Sequence, residues 1–151
     1  MRSLALGIVL LCAALALTGC VSVQACPSWA AYDSPAQAAK SADAVVTGRV
    51  VEKVSTATIN GASANVWSVD VSDWRKGSGP QRINVLSTPQ ACGGDADPYL
   101  GDGDPLEAAT GHSGSGLFLV ENESGWSTLS PVQGITELTP VGQIPPEWPK
   151  P

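Results

Sequence analysis

The sequence predicts a mainly β protein, a small barrel of five to six strands with one short N-terminal helix. Two runs rich in β-branched residues, 44–54 and 64–74, flank Asn60 and Gly61. An Asn-Gly pair in that position is typical of a hairpin, because the turns that suit a hairpin need positive φ. Apolar and polar side chains alternate through the second run from Trp67 onward, which is the period of a half-buried strand. Sixteen Gly and 12 Pro in 151 residues, with little helical periodicity, favour the same fold class.

The other elements follow in chain order. Asp33 or Ser34 can cap a short helix that ends at residue 42, and Pro35 suits its first turn because the missing N–H costs no hydrogen bond there. Gly48 predicts a bulge or a bend in the first strand. Between the first two strands, residues 55–63 are expected to form a polar linker around the turn. Further strands are predicted at 82–88, 116–121 and 126–130, with extended chain through Ile135 and Leu138.

The N-terminus predicts a lipoprotein signal. An apolar run at 4–17 follows Arg2 and is too short to span a bilayer, which takes about 20 residues. Residues 17–20 read Leu-Thr-Gly-Cys. This resembles the bacterial lipobox, whose cysteine is diacylated and becomes the first residue of the mature protein. An ordinary secretion signal, cut near residue 25, is the alternative.

The lipobox divides the chain into segments and places it in the cell. We expect a signal peptide at 1–19, a lipidated Cys20 and tether at 20–25, one domain at 26–139, and a Pro-rich tail at 140–151. The protein would be secreted and held at the outer face of the cytoplasmic membrane by the lipid on Cys20. Trp148 is expected to pin the tail to the domain.

The remaining cysteines predict a disulfide. Cys12 leaves with the signal and Cys20 is acylated, so Cys26 and Cys92 are left in an oxidising compartment. Metal binding by these two residues is the alternative, but the chain has no Cys-x-x-Cys motif and no Cys/His cluster to support it.

The charge pattern excludes a nucleic-acid partner. The net charge is −6, and residues 83–149 contain no Lys or Arg. No basic stripe is available to meet phosphates or anionic lipids, so the lipid alone anchors the protein. Nothing indicates an oligomer, and a monomer is expected.

Several short motifs occur in a fixed order along the chain: Cys26, Ala42-Asp43-Ala44-Val45, Gly48-Arg49-Val50, Trp74-Arg75-Lys76-Gly77 and Cys92-Gly93. Together they resemble the netrin/TIMP-like OB-fold family, and more closely lipoproteins of high-GC Gram-positive bacteria. The likeness covers roughly residues 26–129. It implies a Greek-key barrel and ties the cysteine at the start of the domain to the one after the third strand. Zinc-chelating protease inhibition does not carry over, because that chemistry needs a free N-terminal cysteine and Cys26 is internal.

An acidic, Gly-rich segment at 93–107 is the most distinctive polar feature. It concentrates carboxylates on a backbone that can wrap a cation, and calcium takes six to eight oxygen ligands in irregular geometry. The spacing does not follow the EF-hand pattern, and Asp-Gly and Asp-Pro pairs are also ordinary turn formers, so a solvated acidic loop competes with a calcium site. The candidate ligands are Asp95, Asp97, Asp102, Asp104 and Glu107.

Two further segments have features that are found in functional sites. His112 and Ser113 lie in a Gly-His-Ser-Gly context that invites comparison with a nucleophile elbow, but the chain is too short for an α/β hydrolase. Trp74, Arg75 and Lys76 could form an exposed binding rim, although long basic side chains commonly pack over such rings.

The sequence therefore predicts a lipid-anchored binding or accessory protein with no catalytic residues and no cofactor, and with an envelope protein as the expected partner. A calcium-stabilised module and an envelope hydrolase are the alternatives.

Overall fold

Six strands and two short helices make up the fold of the described residues. The structure is a computed structural model and describes residues 27–93, 97–101 and 103–150. In chain order the elements are α1 (Pro35–Ser41), β1 (Ala44–Ile59), β2 (Ala62–Lys76), β3 (Arg82–Leu86), α2 (Pro105–Ala108), a 3₁₀ turn (Ala109–Gly111), β4 (Ser115–Asn122), β5 (Gly125–Thr128) and β6 (Ile135–Glu137).

Five of the strands close into a ring. β1, β2 and β3 form an antiparallel meander, and β3 pairs in parallel with β5. β4 closes the ring between β5 and β1, and β6 continues the edge of β4 beyond the end of β5. A mainly β chain whose strands close in this order is a small barrel of OB type, so the predicted fold class is confirmed.

The central hairpin is longer than predicted. β1 and β2 are joined directly by Asn60 and Gly61, whose φ angles of 51° and 76° are both positive, as a type I′ turn requires. The prediction of a polar linker at 55–63 is therefore wrong. Its residues continue the two strands up to the turn, since a two-residue I′ turn leaves no room for a linker between the strands it joins.

β1 changes its partners at Gly48. Ala44 pairs with β4 alone, residues 45–48 pair with both β2 and β4, and the rest of the strand pairs with β2 alone. A register irregularity lies between Thr47 and Gly48, as expected for a bend. A Cβ atom at residue 48 would lie 2.3 Å from the carbonyl oxygen of Asp70, so only glycine lets the β2 backbone approach this closely.

The interior of the ring is apolar and is closed at one end by α2. Leu106 of α2 is fully buried and joins the side chains that β1 to β4 send inward. The buried cluster consists of Ala44, Val46, Val50, Trp67, Val69, Val71, Ile83, Val85, Leu106, Ala109, Leu117 and Leu119. Trp67 is among them, in agreement with the alternation of its strand.

A second apolar cluster lies outside the ring, between α1, β1, β4 and the tail. Ala38 and Phe118 are fully buried there. Trp148 packs edge-on against Phe118, with ring centroids 5.6 Å apart, and its Nε1 donates a hydrogen bond of 2.8 Å to the carbonyl oxygen of Tyr32. The tail is thus pinned to the domain by Trp148, as predicted.

The helices differ in number from the prediction. α1 begins where it was expected, with Ser34 as its N-cap and Pro35 in its first turn. The prediction contains no helix here, since the acidic segment 93–107, which includes the first three residues of α2, is expected to be a loop. Asp104 caps α2 and Pro105 follows at once, which is itself a start signal for a helix.

We predict that Gly48→Ala destabilises the protein by about 1–3 kcal/mol, because a methyl group added at a close backbone crossing forces a shift. Urea unfolding followed by tryptophan fluorescence measures the change. Gly111→Ala is the matched control, since a Cβ at residue 111 meets nothing within 4 Å. Equal urea midpoints for the two variants would contradict the close approach of the two strands at Gly48.

Candidate functional site

Asp104 is the one charged side chain that is buried among the described residues. Its Oδ2 accepts hydrogen bonds from Asn65 Nδ2 and Trp67 Nε1, both at 2.8 Å. Its Oδ1 accepts from Ser87 Oγ at 2.6 Å and from the backbone N–H of Leu106 at 2.9 Å. The two oxygens thus receive four hydrogen bonds from β2, from the end of β3 and from α2.

Tyr99 extends this network. Its hydroxyl donates to the carbonyl oxygen of Ser87 at 2.9 Å and accepts from the backbone N–H of Asn65 at 2.8 Å. Burial, together with the nearby Asp104 carboxylate, raises the pKa of Tyr99 to about 12. The backbone N–H of Tyr99 donates a hydrogen bond of 3.0 Å to Asp97 Oδ1.

The network changes the interpretation of the acidic segment. Asp104 was a candidate calcium ligand, but its oxygens face four protein donors and are committed to the fold. Asp97 and Glu107 are exposed, while Asp95 and Asp102 lie outside the described residues. Within the described part of the chain, no three acidic, His or Cys side chains are placed to hold a metal ion.

Two of the three residues in the predicted binding rim, Trp74 and Lys76, make contacts within the fold. Lys76 Nζ donates to three carbonyl oxygens at the end of α1, those of Ala39 and Lys40 at 3.1 Å and that of Ala42. A cation there also complements the negative end of the helix dipole. Lys76 therefore caps α1.

Trp74 and Arg75 differ from each other in their surroundings. The Trp74 ring lies 6.0 Å from the Trp126 ring and packs on the interior cluster, and its Nε1 donates to Pro80 at 3.3 Å. Arg75 is exposed and pairs with Asp73 at 3.1 Å. Of the three residues, Arg75 is the one whose side chain remains open to a partner.

A charged row that the sequence did not reveal crosses the outside of the barrel. Arg49 on β1, Asp70 on β2 and Arg82 on β3 are directly opposite one another in the strand register. Arg82 Nε donates to Asp70 at 2.7 Å, and Arg49 lies 3.7 Å from the same carboxylate. The hydrogen bond from Arg82 lowers the pKa of Asp70, and the charges of both arginines add to this effect.

His112 and Ser113 do not form a catalytic pair in the described residues. Ser113 is exposed, and its side chain receives no hydrogen bond from His112. His112 Nδ1 and Ser115 Oγ are buried and have no hydrogen-bond partner among these residues. The comparison with a nucleophile elbow gains no support from this geometry.

The cysteines are only partly within the described residues. Cys92 is disulfide-bonded. Cys20 and Cys26 lie outside the described residues, so the pairing of Cys92 with Cys26 and the lipid on Cys20 remain predictions.

Comparison with known proteins gives no match to a protein-family model, a curated protein or a solved structure. The resemblance to the netrin/TIMP-like family therefore still depends on short motifs. None of the helices in the described ranges has the length and apolar character needed to cross a membrane.

We predict that Asp104→Asn destabilises the protein by about 3 kcal/mol. The amide nitrogen would replace an oxygen that accepts two hydrogen bonds, so Trp67 Nε1 on one side or the Leu106 N–H on the other would lose its acceptor. Each buried donor left without a partner costs about 1–3 kcal/mol. Urea unfolding measures the loss. Asp97→Asn is the control, because its Oδ1 can still accept from Tyr99 and its side chain is exposed, so a change within about 0.5 kcal/mol is expected.

We predict that Tyr99 makes stability depend on pH above 10. The unfolded chain loses the Tyr99 proton near pH 10, whereas the folded chain holds it to about pH 12. Stability is therefore complete below pH 10 and falls as the pH rises from 10 towards 12. Tyr99→Phe removes this dependence, at a cost of about 1–2 kcal/mol at pH 8 from two lost hydrogen bonds. The difference in urea midpoint between the unchanged protein and Tyr99→Phe should therefore become smaller as the pH rises. A difference that stays constant would contradict a raised pKa for a buried Tyr99 hydroxyl.

Proposed function

We propose that this chain is a lipid-anchored, non-enzymatic binding or accessory protein at the outer face of a bacterial cytoplasmic membrane. The observation that carries the proposal is the disulfide at Cys92, in a chain whose residues 17–20 read Leu-Thr-Gly-Cys. Disulfides persist in extracytoplasmic compartments and are rare in the cytosol. A lipobox directs a protein to the same side of the membrane, so two independent features of the chain agree.

The row of Arg49, Asp70 and Arg82 is the contact surface that we propose for the partner. A guanidinium has five N–H donors, and the shared Asp70 carboxylate contacts one nitrogen of each arginine. The row carries two positive charges against one negative charge, in a protein whose net charge is −6. Arginine recognises carboxylates by paired, parallel hydrogen bonds, so the row suits an envelope protein that presents an acidic side chain.

The anchor is tested by membrane fractionation of cells that produce the full chain or its Cys20→Ser variant. We expect the unchanged protein in the membrane fraction and the variant in the soluble extracytoplasmic fraction. Mass spectrometry of the membrane-bound form should show a diacylated N-terminal cysteine. The same distribution for both proteins would overturn the lipoprotein assignment.

The contact surface is tested by crosslinking on intact cells, followed by quantitative mass spectrometry of the captured proteins. We compare the unchanged chain with Arg49→Ala/Arg82→Ala, and we expect capture of a specific envelope protein to fall at least fivefold. Lys40→Ala/Lys150→Ala is the matched control, because it also removes two positive charges from exposed side chains but leaves the row intact. A loss of the same size from this control, or no loss from the Arg49→Ala/Arg82→Ala variant, would remove the row as the contact surface.

A further inference from the structure

An uncharged apolar surface lies where the described chain begins. Trp29, Ala30 and Ala31 form one side of a groove of about 360 Å³, and Pro131 and Val132 form the other. None of the residues that line it carries a charge. Val132 is 71 % exposed and Trp29 is 36 % exposed, so both side chains present apolar area to the outside. We refer to these five residues as the Trp29–Val132 face.

The two sides of this face are fixed to each other. The Gln133 side chain accepts a hydrogen bond from the backbone N–H of Tyr32 and donates one to the Tyr32 carbonyl oxygen, both at 2.8 Å. A backbone held at both its donor and its acceptor has little freedom to turn away. The residues just before Tyr32 and those just before Gln133 therefore form one continuous surface.

We propose that the Trp29–Val132 face lies against the membrane to which Cys20 is attached. This inference rests on the lipid anchor proposed above and adds the orientation of the domain on the bilayer. The occupant of the groove is the interfacial region of the lipid, with the Trp29 indole at the level of the headgroups.

The length of the chain before the domain favours this orientation. Trp29 is nine positions after Cys20. Even fully extended, that segment spans at most about 32 Å, because each residue adds no more than about 3.6 Å. The surface around Trp29 is therefore kept close to the bilayer, whereas the far end of the barrel has no such restraint.

The chemistry of the face favours the same orientation. Tryptophan is enriched at membrane interfaces, where its ring is apolar and its N–H remains hydrated. Anionic headgroups repel a protein of net charge −6, so a surface without carboxylates approaches the bilayer at the lowest electrostatic cost. Transfer of an exposed apolar patch from water into contact with lipid is energetically favourable.

The test places an environment-sensitive label on the full lipidated protein in vesicles of phosphatidylethanolamine and phosphatidylglycerol with brominated acyl chains. Bimane is attached to Val132→Cys in one sample and to Val141→Cys in the other. The two valines are matched, since their exposed fractions are 71 % and 77 %. Val141 belongs to the turn after β6, beside a groove lined by the carboxylate-bearing Glu137. We expect bromine to quench the label at residue 132 at least twofold more than the label at residue 141.

A second variant asks whether the face itself makes the contact. In the protein labelled at residue 132, Trp29→Ser should reduce the quenching by bromine at least twofold. Val141→Ser in the same protein should leave the quenching by bromine unchanged. Equal quenching at residues 132 and 141 in vesicle-bound protein would overturn the orientation and leave the lipid anchor standing. Protein that fails to sediment with the vesicles, and behaves like Cys20→Ser, would overturn both the anchor and the orientation.

Discussion

Four hydrogen bonds to the Asp104 carboxylate hold one end of this barrel together. The donors come from Asn65 and Trp67 on β2, from Ser87 beyond β3, and from the first turn of α2. A buried carboxylate without donors costs several kcal/mol, so this residue is tolerated only because every direction around it supplies an N–H or O–H group. The long connection between β3 and β4 is attached to the barrel through this side chain, through the Tyr99 hydroxyl and through the buried Leu106.

The same carboxylate also positions apolar groups. By accepting from the backbone N–H of Leu106, Asp104 caps α2 and sets the direction in which that helix leaves. Leu106 then enters the interior cluster as one of its fully buried members. A polar contact thus decides where an apolar side chain lies, and the closure of the barrel depends on both.

Local signals explain which parts of the fold could be predicted. The Asn60-Gly61 turn, the alternation around Trp67 and the cap of α1 each depend on residues close together in sequence, and the structure has all three. The Arg49–Asp70–Arg82 row depends on register instead. An uninterrupted ladder from Ile59 opposite Ala62 would place Arg49 opposite Ser72, but irregularities in β1 place it opposite Asp70. The two irregularities that shift this register lie between Val50 and Glu52 and between Lys53 and Ser55, where no glycine marks them as Gly48 marks its own.

The partners of Asp104 and Lys76 were hidden for a related reason. The side-chain donors to Asp104 are 17 to 39 positions away from it, and the carbonyl groups that Lys76 caps are 34 to 37 positions away. The sequence shows that a carboxylate and a lysine are present, but it does not show which groups meet them. The row of arginines and the Trp29–Val132 face share no residue, so contact with a membrane at the face uses none of the arginine donors. One small barrel can therefore be held at a bilayer by its uncharged face while the charged row remains open to an acidic partner.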